Sequence, residues 1–238
     1  MKIVAPYRPM VSYTSLHIEC ARHGFDWIES LKMLRASGLA RAGIETYAIS
    51  DVELPVPHYR YPSKEQSLMI WMLEVSLSYL ESEDFDQDTV LLGADSIVLK
   101  PFDMFGGFDI AITSRLPKFF ANPLMNGWQL WPIASKVGLI RLFRMALDIA
   151  HGLPDEEKAW GADTKPLIML LGPIKPGDFI RSGMRVRIFP PPMLMTLTIS
   201  LMNKMRVGKK VAAGATTVDF KALAKLHMRE YYEREFGK

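Results

Sequence analysis

The chain has 238 residues, of which 49% are hydrophobic and 23% are charged, proportions typical of a globular protein with a substantial core. Cys20 is the only cysteine, which excludes an internal disulfide and a zinc site built from several cysteines. The formal net charge of +3 hides an asymmetry, since residues 181–238 carry twelve Lys and Arg against four Asp and Glu. A basic face of this kind is typical of proteins that bind anions, although a solvated basic helix gives the same count.

The predicted elements alternate between strands and helices. Short apolar runs predict strands, and apolar residues recurring at helical spacing predict helices. In chain order these are strand 2–5, one or two helices in 13–37, strand 45–50, a helix from 63 to 80, apolar runs flanking Asp95, strand 108–113, helix 136–151, strand 185–189 and a closing helix 219–236. Ser63 and Gln66 form a capping-box pattern at the start of helix 63–80. This alternation favours an α/β fold with a mostly parallel central sheet flanked by helices.

The most informative stretch runs from Thr89 to Asp103, where one apolar run ends at Asp95 and a second follows. This pattern is typical of a buried strand that ends at the rim of a sheet and resumes beyond it. Open α/β folds bind ligands at this rim. A carboxylate there either holds a metal or satisfies the backbone of a turn, and both interpretations stay open at this point.

The order of several segments resembles glycosyltransferases of the GT-A fold, which use nucleotide-sugars as donors. Their hallmark is a strand, an Asp-x-Asp pair and a second strand, and residues 91–105 resemble it. Residues 126–132 are similar to the Asn-Gly segment that these enzymes place beside the donor sugar. Residues 160–163 resemble their acidic segment at the start of a helix. The likeness covers residues 1–170 and depends on the order of these motifs.

The resemblance implies a single GT-A-like domain whose residues 1–180 bind the nucleotide-sugar and carry catalysis. Residues 181–238 would form a basic, helical C-terminal part packed on the same domain. The implied reaction moves a sugar from a nucleoside diphosphate donor to an acceptor hydroxyl. Asp163 would take the acceptor proton or position the sugar, and Asp95 would hold a Mn²⁺ or Mg²⁺ at the diphosphate. The expected donor-binding residues are Arg8, Asp51, Asn126, Trp160, Lys209 and Lys210.

One position departs from the family pattern, because Gly93 stands where the first Asp of the pair is expected. Mg²⁺ is commonly held by one or two carboxylates together with substrate phosphates, so Asp95 alone can suffice, with weak affinity for free metal. Many relatives of this fold supply a late His to the metal. His227 is the candidate here, and a solvated helix residue is the alternative. Literal Asp-x-Asp matches at residues 84–86 and 86–88 precede the strand in a polar run, which indicates a solvated turn.

The acceptor is predicted from location and charge. The N-terminal segment lacks the apolar core of a signal peptide, and the apolar run 193–202 is too short to cross a bilayer. A cytoplasmic location is therefore expected, that of the host if the gene is phage-encoded. The basic segment then favours a hydroxyl-bearing modified base in DNA, similar to the acceptor of some phage glycosyltransferases. A hydroxyl on a saccharide, lipid or protein stays open.

Two other functions remain as alternatives. A sugar-phosphate nucleotidyltransferase would carry a glycine-rich segment after the first strand, and residues 5–9 contain no glycine. A non-catalytic nucleic-acid-binding protein would use the basic C-terminal part, and Gly93 in place of an acid favours it. The stretch 208–217, with Lys209 and Lys210, predicts either a loop that closes over phosphates or a plain surface loop.

Overall fold

The computed structural model describes residues 1–9, 20, 22–103, 106–114, 124–158, 162–190, 194–197, 215–220 and 222–237. The strands are β1 (Lys2–Pro6), β2 (Thr46–Ser50), β3 (His58–Arg60), β4 (Thr89–Leu92), β5 (Ser96–Val98), β6 (Ile110–Ser114), β7 (Leu124–Trp131), β8 (Gly177–Arg181), β9 (Met184–Phe189), β10 (Leu194–Leu197) and β11 (Thr217–Phe220). The helices are α1 (Trp27–Ala42), α2 (Leu68–Glu81), α3 (Lys136–His151), α4 (Thr164–Leu171) and α5 (Met228–Phe236). One or two strands alternate with each α-helix as far as β4, and the strands from β4 onwards come in two groups of four that are separated by helices.

Eight of these strands form one central sheet in the order β3-β2-β1-β4-β7-β6-β9-β8. The pairs β3–β2, β2–β1, β1–β4 and β6–β9 are parallel. The pairs β4–β7, β7–β6 and β9–β8 are antiparallel. Parallel pairs are thus the majority, and the predicted α/β fold with a mostly parallel central sheet is confirmed.

Helices cover both faces of this sheet, so its central strands are buried on both sides. In β1, Ile3 and Ala5 pack in one apolar cluster with Leu34 of α1, whereas Val4 packs in another with α2 and α3. Strand β4 divides its side chains between the same two clusters. Strands buried on both faces appear in a sequence as continuous apolar runs, which is why the sequence predicts these two strands.

Helix α1 begins and ends at ordinary capping signals. The Asp26 carboxylate accepts hydrogen bonds from the backbone N–H groups of Ile28 (2.8 Å) and Glu29 (3.3 Å). After the last turn, Gly43 has a φ of 64°, a left-handed conformation that favours glycine. Since α1 connects the parallel neighbours β1 and β2, its N-terminal end lies at the sheet edge where β1 ends.

A second sheet joins the C-terminal part of the chain to the segment around Asp95. Strand β11 lies between β10, which is parallel to it, and β5, which is antiparallel. In this register Asp219 of β11 lies opposite Ser96, the residue after Asp95. The fold therefore returns a late part of the chain to the motif that the sequence marks as most informative.

The predicted closing helix 219–236 is wrong in its first half. Residues 217–220 are a strand, residues 222–227 form a 3₁₀ helix, and only the last part is α-helix. Val218 and Phe220 are fully buried together with Ile97 of β5. This packing overrides the local preference for a helix.

The predicted start of the helix at Ser63 is also wrong, because α2 begins five residues later. The Ser63 hydroxyl contacts the Glu74 carboxylate and accepts a hydrogen bond from the Glu65 backbone N–H (3.0 Å). The Gln66 amide donates to the Lys64 carbonyl (3.2 Å). The capping-box pattern thus forms a local turn that ends before the helix.

The predicted boundary between residues 180 and 181 falls within the hairpin of β8 and β9. Both strands belong to the central sheet, and β9 pairs with β6.

Within the described ranges, no helix has the length and apolarity needed to cross a membrane.

Candidate active site

The carboxyl ends of β1, β2 and β4 lie at the same edge of the central sheet, because these three strands are parallel neighbours. Arg8 follows β1, Asp51 follows β2, and the segment from Gly93 to Asp95 follows β4. Three of the residues that the sequence assigns to the site therefore share one edge. This is the edge at which open α/β sheets bind ligands.

Arg8 and Asp51, both predicted to bind the donor, contact each other directly. The Arg8 Nε donates to Asp51 Oδ2 (2.9 Å), its Nη1 donates to the Glu65 carbonyl (2.7 Å), and its guanidinium lies 5.1 Å from the centre of the Trp71 ring. The Asp51 side chain is only 8% exposed. Its Oδ1 is buried and accepts no hydrogen bond from a described residue, so it is available to a ligand.

Asp95 lies in a buried turn and is held by backbone and side-chain contacts. The Ser96 N–H donates to the Gly93 carbonyl (3.1 Å), and the Asp95 carbonyl accepts from the Phe220 N–H (3.0 Å). The Asp95 Oδ2 contacts the ammonium of Lys225, which also donates to the Phe220 carbonyl (2.9 Å). Both partners are buried, with side-chain exposures of 9% for Asp95 and 5% for Lys225.

The missing side chain of Gly93 makes room for the Asp95 carboxylate, and a second carboxylate, of Asp219, lies nearby. A Cβ at this position would lie 2.7 Å from Asp95 Oδ1 and 3.8 Å from Asp219 Oδ1. Gly93, where the sequence predicts a missing acid, is therefore next to the acid that β11 supplies. Asp219 is only 1% exposed.

Sequence reasoning missed Asp219 and Lys225. Both lie more than a hundred residues after Asp95, and pairing of β5 with β11 brings them together. One signal was present, because Asp219 is the single charged residue within the otherwise uncharged run 215–220. A buried acid within a strand is rare unless it has a partner or a ligand.

Burial lowers the pKa of the Lys225 ammonium to about 7, and Cys20 acts in the opposite direction. The adjacent Asp95 carboxylate also favours the charged form of the lysine. The aromatic rings of Trp27 and Phe25 lie 4.7 Å and 6.0 Å from the Lys225 Nζ. The ammonium thus sits in an apolar, aromatic surrounding with one carboxylate as its counterion.

The described residues around Asp95 do not suit a divalent metal as long as the Lys225 ammonium contacts the Asp95 carboxylate. The ammonium contacts one oxygen of the carboxylate, and a second cation on the same group would be repelled. In the part of the chain that the structure describes, no group of three or more His, Cys, Asp or Glu could hold a metal. His227 is 44% exposed, and its Nδ1 lies 3.4 Å from Glu230 Oε2.

Asp163, the predicted base, precedes α4 and is only 6% exposed. Its Oδ1 accepts a hydrogen bond from the Thr164 hydroxyl (3.1 Å). The carboxylate makes no hydrogen bond that caps the backbone of α4.

The other predicted site residues lie partly or wholly outside the described residues. Trp160, Lys209 and Lys210 are outside, and of Asn126 only the backbone, within β7, is described. The Gly127 carbonyl accepts a hydrogen bond from the Gly93 N–H (2.9 Å). The predicted Asn-Gly segment therefore lies directly beside Gly93.

A cavity of about 220 Å³ borders Lys225 at the N-terminal end of α1. It lies on the same edge of the sheet as Asp95, because α1 begins where β1 ends. The polar and charged residues that line it are His23, Asp26, Glu29, Lys225 and Arg229.

The comparison with known proteins shows the fold. No protein-family model matches the sequence, and no curated protein matches it. Among solved structures, the chain is similar to a glycosyltransferase involved in the glycosylation of the major capsid of PBCV-1. The match has a TM-score of 0.60, covers 98% of each chain and has 13% sequence identity. The fold is GT-A-like.

Within this GT-A-like fold, the described residues hold only part of the basic C-terminal charge. Six of the twelve Lys and Arg in residues 181–238 are described, against all four acids of that segment. Five of the six form ion pairs, among them Arg185 with Asp109 (2.9 Å) and Arg187 with Asp178 (2.7 Å). The excess of positive charge therefore lies in residues outside the description, among them Lys209 and Lys210.

Proposed function

We propose that this chain transfers a sugar from a nucleoside diphosphate-sugar to an acceptor hydroxyl. The observation that carries the proposal is the buried cluster of Asp95, Asp219 and Lys225 beside Gly93. The cluster lies at the ligand-binding edge of a GT-A-like sheet. The structural neighbour is a glycosyltransferase, and this supports the reaction class.

The nucleoside end of the donor is proposed to bind at Asp51 and Arg8. The buried Asp51 Oδ1 can accept a hydrogen bond from a ring N–H or a ribose hydroxyl. Arg8 holds the other oxygen of the same carboxylate and keeps the group in place. The end of β2 would then recognise the nucleoside.

The diphosphate end is proposed to bind near Asp95. Negative charge grows on the leaving diphosphate as the glycosidic bond breaks, and fixed positive groups lower the barrier by stabilising that charge. Mn²⁺ or Mg²⁺ stays a prediction from the motif, and the described residues do not fit such an ion while Lys225 contacts Asp95. Asn126, Trp160, Lys209 and Lys210 remain proposed donor contacts.

Asp163 is proposed as the base that takes the acceptor proton or as the residue that positions the sugar. Its burial before α4 supports this role, because a general base must be held in a fixed position. Thr164 donates to one of its oxygens and orients the group.

A thermal-shift screen tests the proposed function directly. Nucleoside diphosphates and their sugars, each with and without Mn²⁺, should include one that raises the melting temperature. Ligand binding to the native state stabilises it by about 4 kcal/mol at a thousand times the dissociation constant. A screen in which no nucleotide shifts the melting temperature at millimolar concentration would contradict a nucleotide-sugar donor.

For the acceptor, we propose a hydroxyl-bearing base in DNA, on the basis of the positive charge in residues 181–238. A protein or saccharide hydroxyl is the second candidate. The observation that favours it is the neighbour, whose own role is in the glycosylation of a capsid protein. A non-catalytic nucleic-acid-binding protein would bind DNA without releasing nucleotide from any donor.

Salt dependence separates these acceptors. Binding to a labelled DNA duplex should weaken with salt, each neutralised phosphate adding about −0.9 to the slope of log affinity against log salt. Replacing Arg206, which is not among the proposed donor contacts, by Glu should flatten the slope and spare donor hydrolysis. If the duplex does not bind at low salt, the acceptor is a saccharide, lipid or protein.

A further inference from the structure

The ion pair between Lys225 and Asp95 is costly to bury. Taking two charges out of water costs several kcal/mol per ion, and their attraction often does no more than repay this cost. Both side chains are nevertheless almost fully buried, at the edge of the sheet where a ligand is expected. Fold stability alone is therefore a weak explanation for this pair.

Lys225 also has capacity left for a ligand. An ammonium carries three N–H donors, and the described residues use two of them, at Asp95 Oδ2 and at the Phe220 carbonyl. No described residue accepts the third. The side chain borders the cavity of about 220 Å³, which gives a small anionic group a route to it.

The acidic residues that line this cavity are already engaged. Asp26 accepts two hydrogen bonds from the backbone of α1, and Glu29 lies 2.7 Å from the Lys32 ammonium and 3.6 Å from the Arg229 guanidinium. Lys225 and Arg229 are the cations of the lining, with His23 beside them. Each acid of the described lining therefore has a donor or a cation beside it, so the lining presents no unpaired carboxylate to an anion that approaches Lys225.

We propose that the Lys225 ammonium is the resident cation of this site. It holds the Asp95 carboxylate and binds the donor diphosphate from the adjacent cavity, the position in which a divalent metal was expected. The inference depends on the proposed function, because it assumes a nucleoside diphosphate-sugar as donor. Gly93 is consistent with it, because one motif acid suffices to hold one ammonium.

Titration calorimetry with UDP, GDP, CDP, ADP and dTDP, each in EDTA and in Mn²⁺, tests the inference. One diphosphate should bind the natural protein in EDTA nearly as tightly as in Mn²⁺. Lys225→Met should weaken that binding in EDTA by about tenfold or more, the loss expected for a hydrogen bond to a charged group. Lys225→Arg should retain most of the affinity because it keeps the charge.

Lys136→Met is the matched control. Lys136 is also a partly buried lysine, donates to two backbone carbonyls, of Ser82 (2.7 Å) and Phe85 (3.4 Å), and lies near the Phe85 ring. Lys136 follows β7 and lies near the start of β4. It is therefore at the opposite edge of the sheet from Asp95, which follows the end of β4. Its replacement should leave diphosphate affinity unchanged.

Each outcome decides a different claim. Binding of a diphosphate only with Mn²⁺, or equal affinity of Lys225→Met and the natural protein in EDTA, would overturn the role of Lys225 and leave the proposed function standing. Absence of binding by all five diphosphates in both conditions would overturn the proposed function itself. If Lys225→Met does not fold, the EDTA comparison and Lys225→Arg still decide the question.

Discussion

Two buried lysines at opposite edges of the central sheet each contact an aspartate, and the two pairs differ in what surrounds them. At the edge where β1 begins, Lys2 lies 2.8 Å from Asp86, whose side chain is 59% exposed. At the edge where β4 ends, Lys225 contacts Asp95, which is 9% exposed. One pair therefore has a hydrated acid, whereas the other has both charges buried beside a cavity.

The surroundings set the two lysine pKa values in opposite directions. For Lys2, burial acts to lower the pKa, but hydrogen bonds with Asp86 and Tyr59 outweigh it and leave the pKa raised. For Lys225, burial dominates and the pKa is lowered. The first ammonium is held by structural partners, whereas the second is the group that we propose binds the diphosphate.

This comparison also explains the literal Asp-x-Asp matches at residues 84–88. They lie at the beginning of β4, away from the ligand edge, and their acids have structural partners. Asp84 accepts from the Tyr61 hydroxyl (2.6 Å), and Asp88 accepts from the Ile133 backbone N–H (2.9 Å). The interpretation of these matches as a turn before the strand is confirmed.

The largest expected difference between the two edges is in turnover. Asp95→Asn should lower sugar transfer by about a hundredfold or more, because it disturbs the group that holds the cation at the diphosphate. Asp86→Asn should leave turnover unchanged. Steady-state assays of both variants with the identified donor check this. Similar rates for the two variants would contradict a role of Asp95 in sugar transfer.

The next difference is in stability. Lys225→Met should reduce the free energy of unfolding by about 3 kcal/mol, because it leaves the Asp95 carboxylate buried without its counterion. The double variant Lys225→Met, Asp95→Asn should recover much of this loss. Urea unfolding of the single and double variants gives the coupling free energy. The same cycle at Lys2 and Asp86 should give less than about 1 kcal/mol, and equal coupling at both edges would contradict the comparison.

Gly93→Ala probes the space beside the buried pair. The added Cβ would lie 2.7 Å from Asp95 Oδ1, so the carboxylate must rotate away. We expect diphosphate affinity to fall by about tenfold, through one displaced charge-assisted hydrogen bond, and the melting temperature to fall with it because the buried ion pair is disturbed. Calorimetry and thermal unfolding measure the two effects, and unchanged affinity would separate Gly93 from the ligand.

The smallest expected effect is at Asp86 itself. Its hydrogen bond with Lys2 lowers the Asp86 pKa below the ordinary value of 3.8. Its contribution to stability is therefore present above pH 3.8 and is lost as the pH falls through the lowered value. Asp86→Asn should destabilise the protein at pH 7 by less than about 1 kcal/mol, since the pair is exposed. Urea unfolding curves of the variant and the natural protein should converge in acid, and a difference that persists at pH 2 would contradict this sign.

The sequence predicts the parts of the site that follow strands and misses the parts that depend on long-range pairing. Arg8, Asp51 and Asp95 each follow an apolar run, so alternation and spacing suffice to place them at one edge. Asp219 and Lys225 reach Asp95 only because β11 pairs with β5. Local patterns favoured a helix there, and no pattern within residues 217–227 identifies their partner more than a hundred residues earlier.

Release of nucleoside diphosphate from a panel of nucleoside diphosphate-sugars tests the central claim most directly. We predict that the natural protein releases diphosphate from one donor in EDTA as well as in Mn²⁺, that Asp95→Asn loses this activity and that Asp86→Asn keeps it. Absence of release from every donor, or equal release by Asp95→Asn and the natural protein, would contradict sugar transfer at this edge of the sheet.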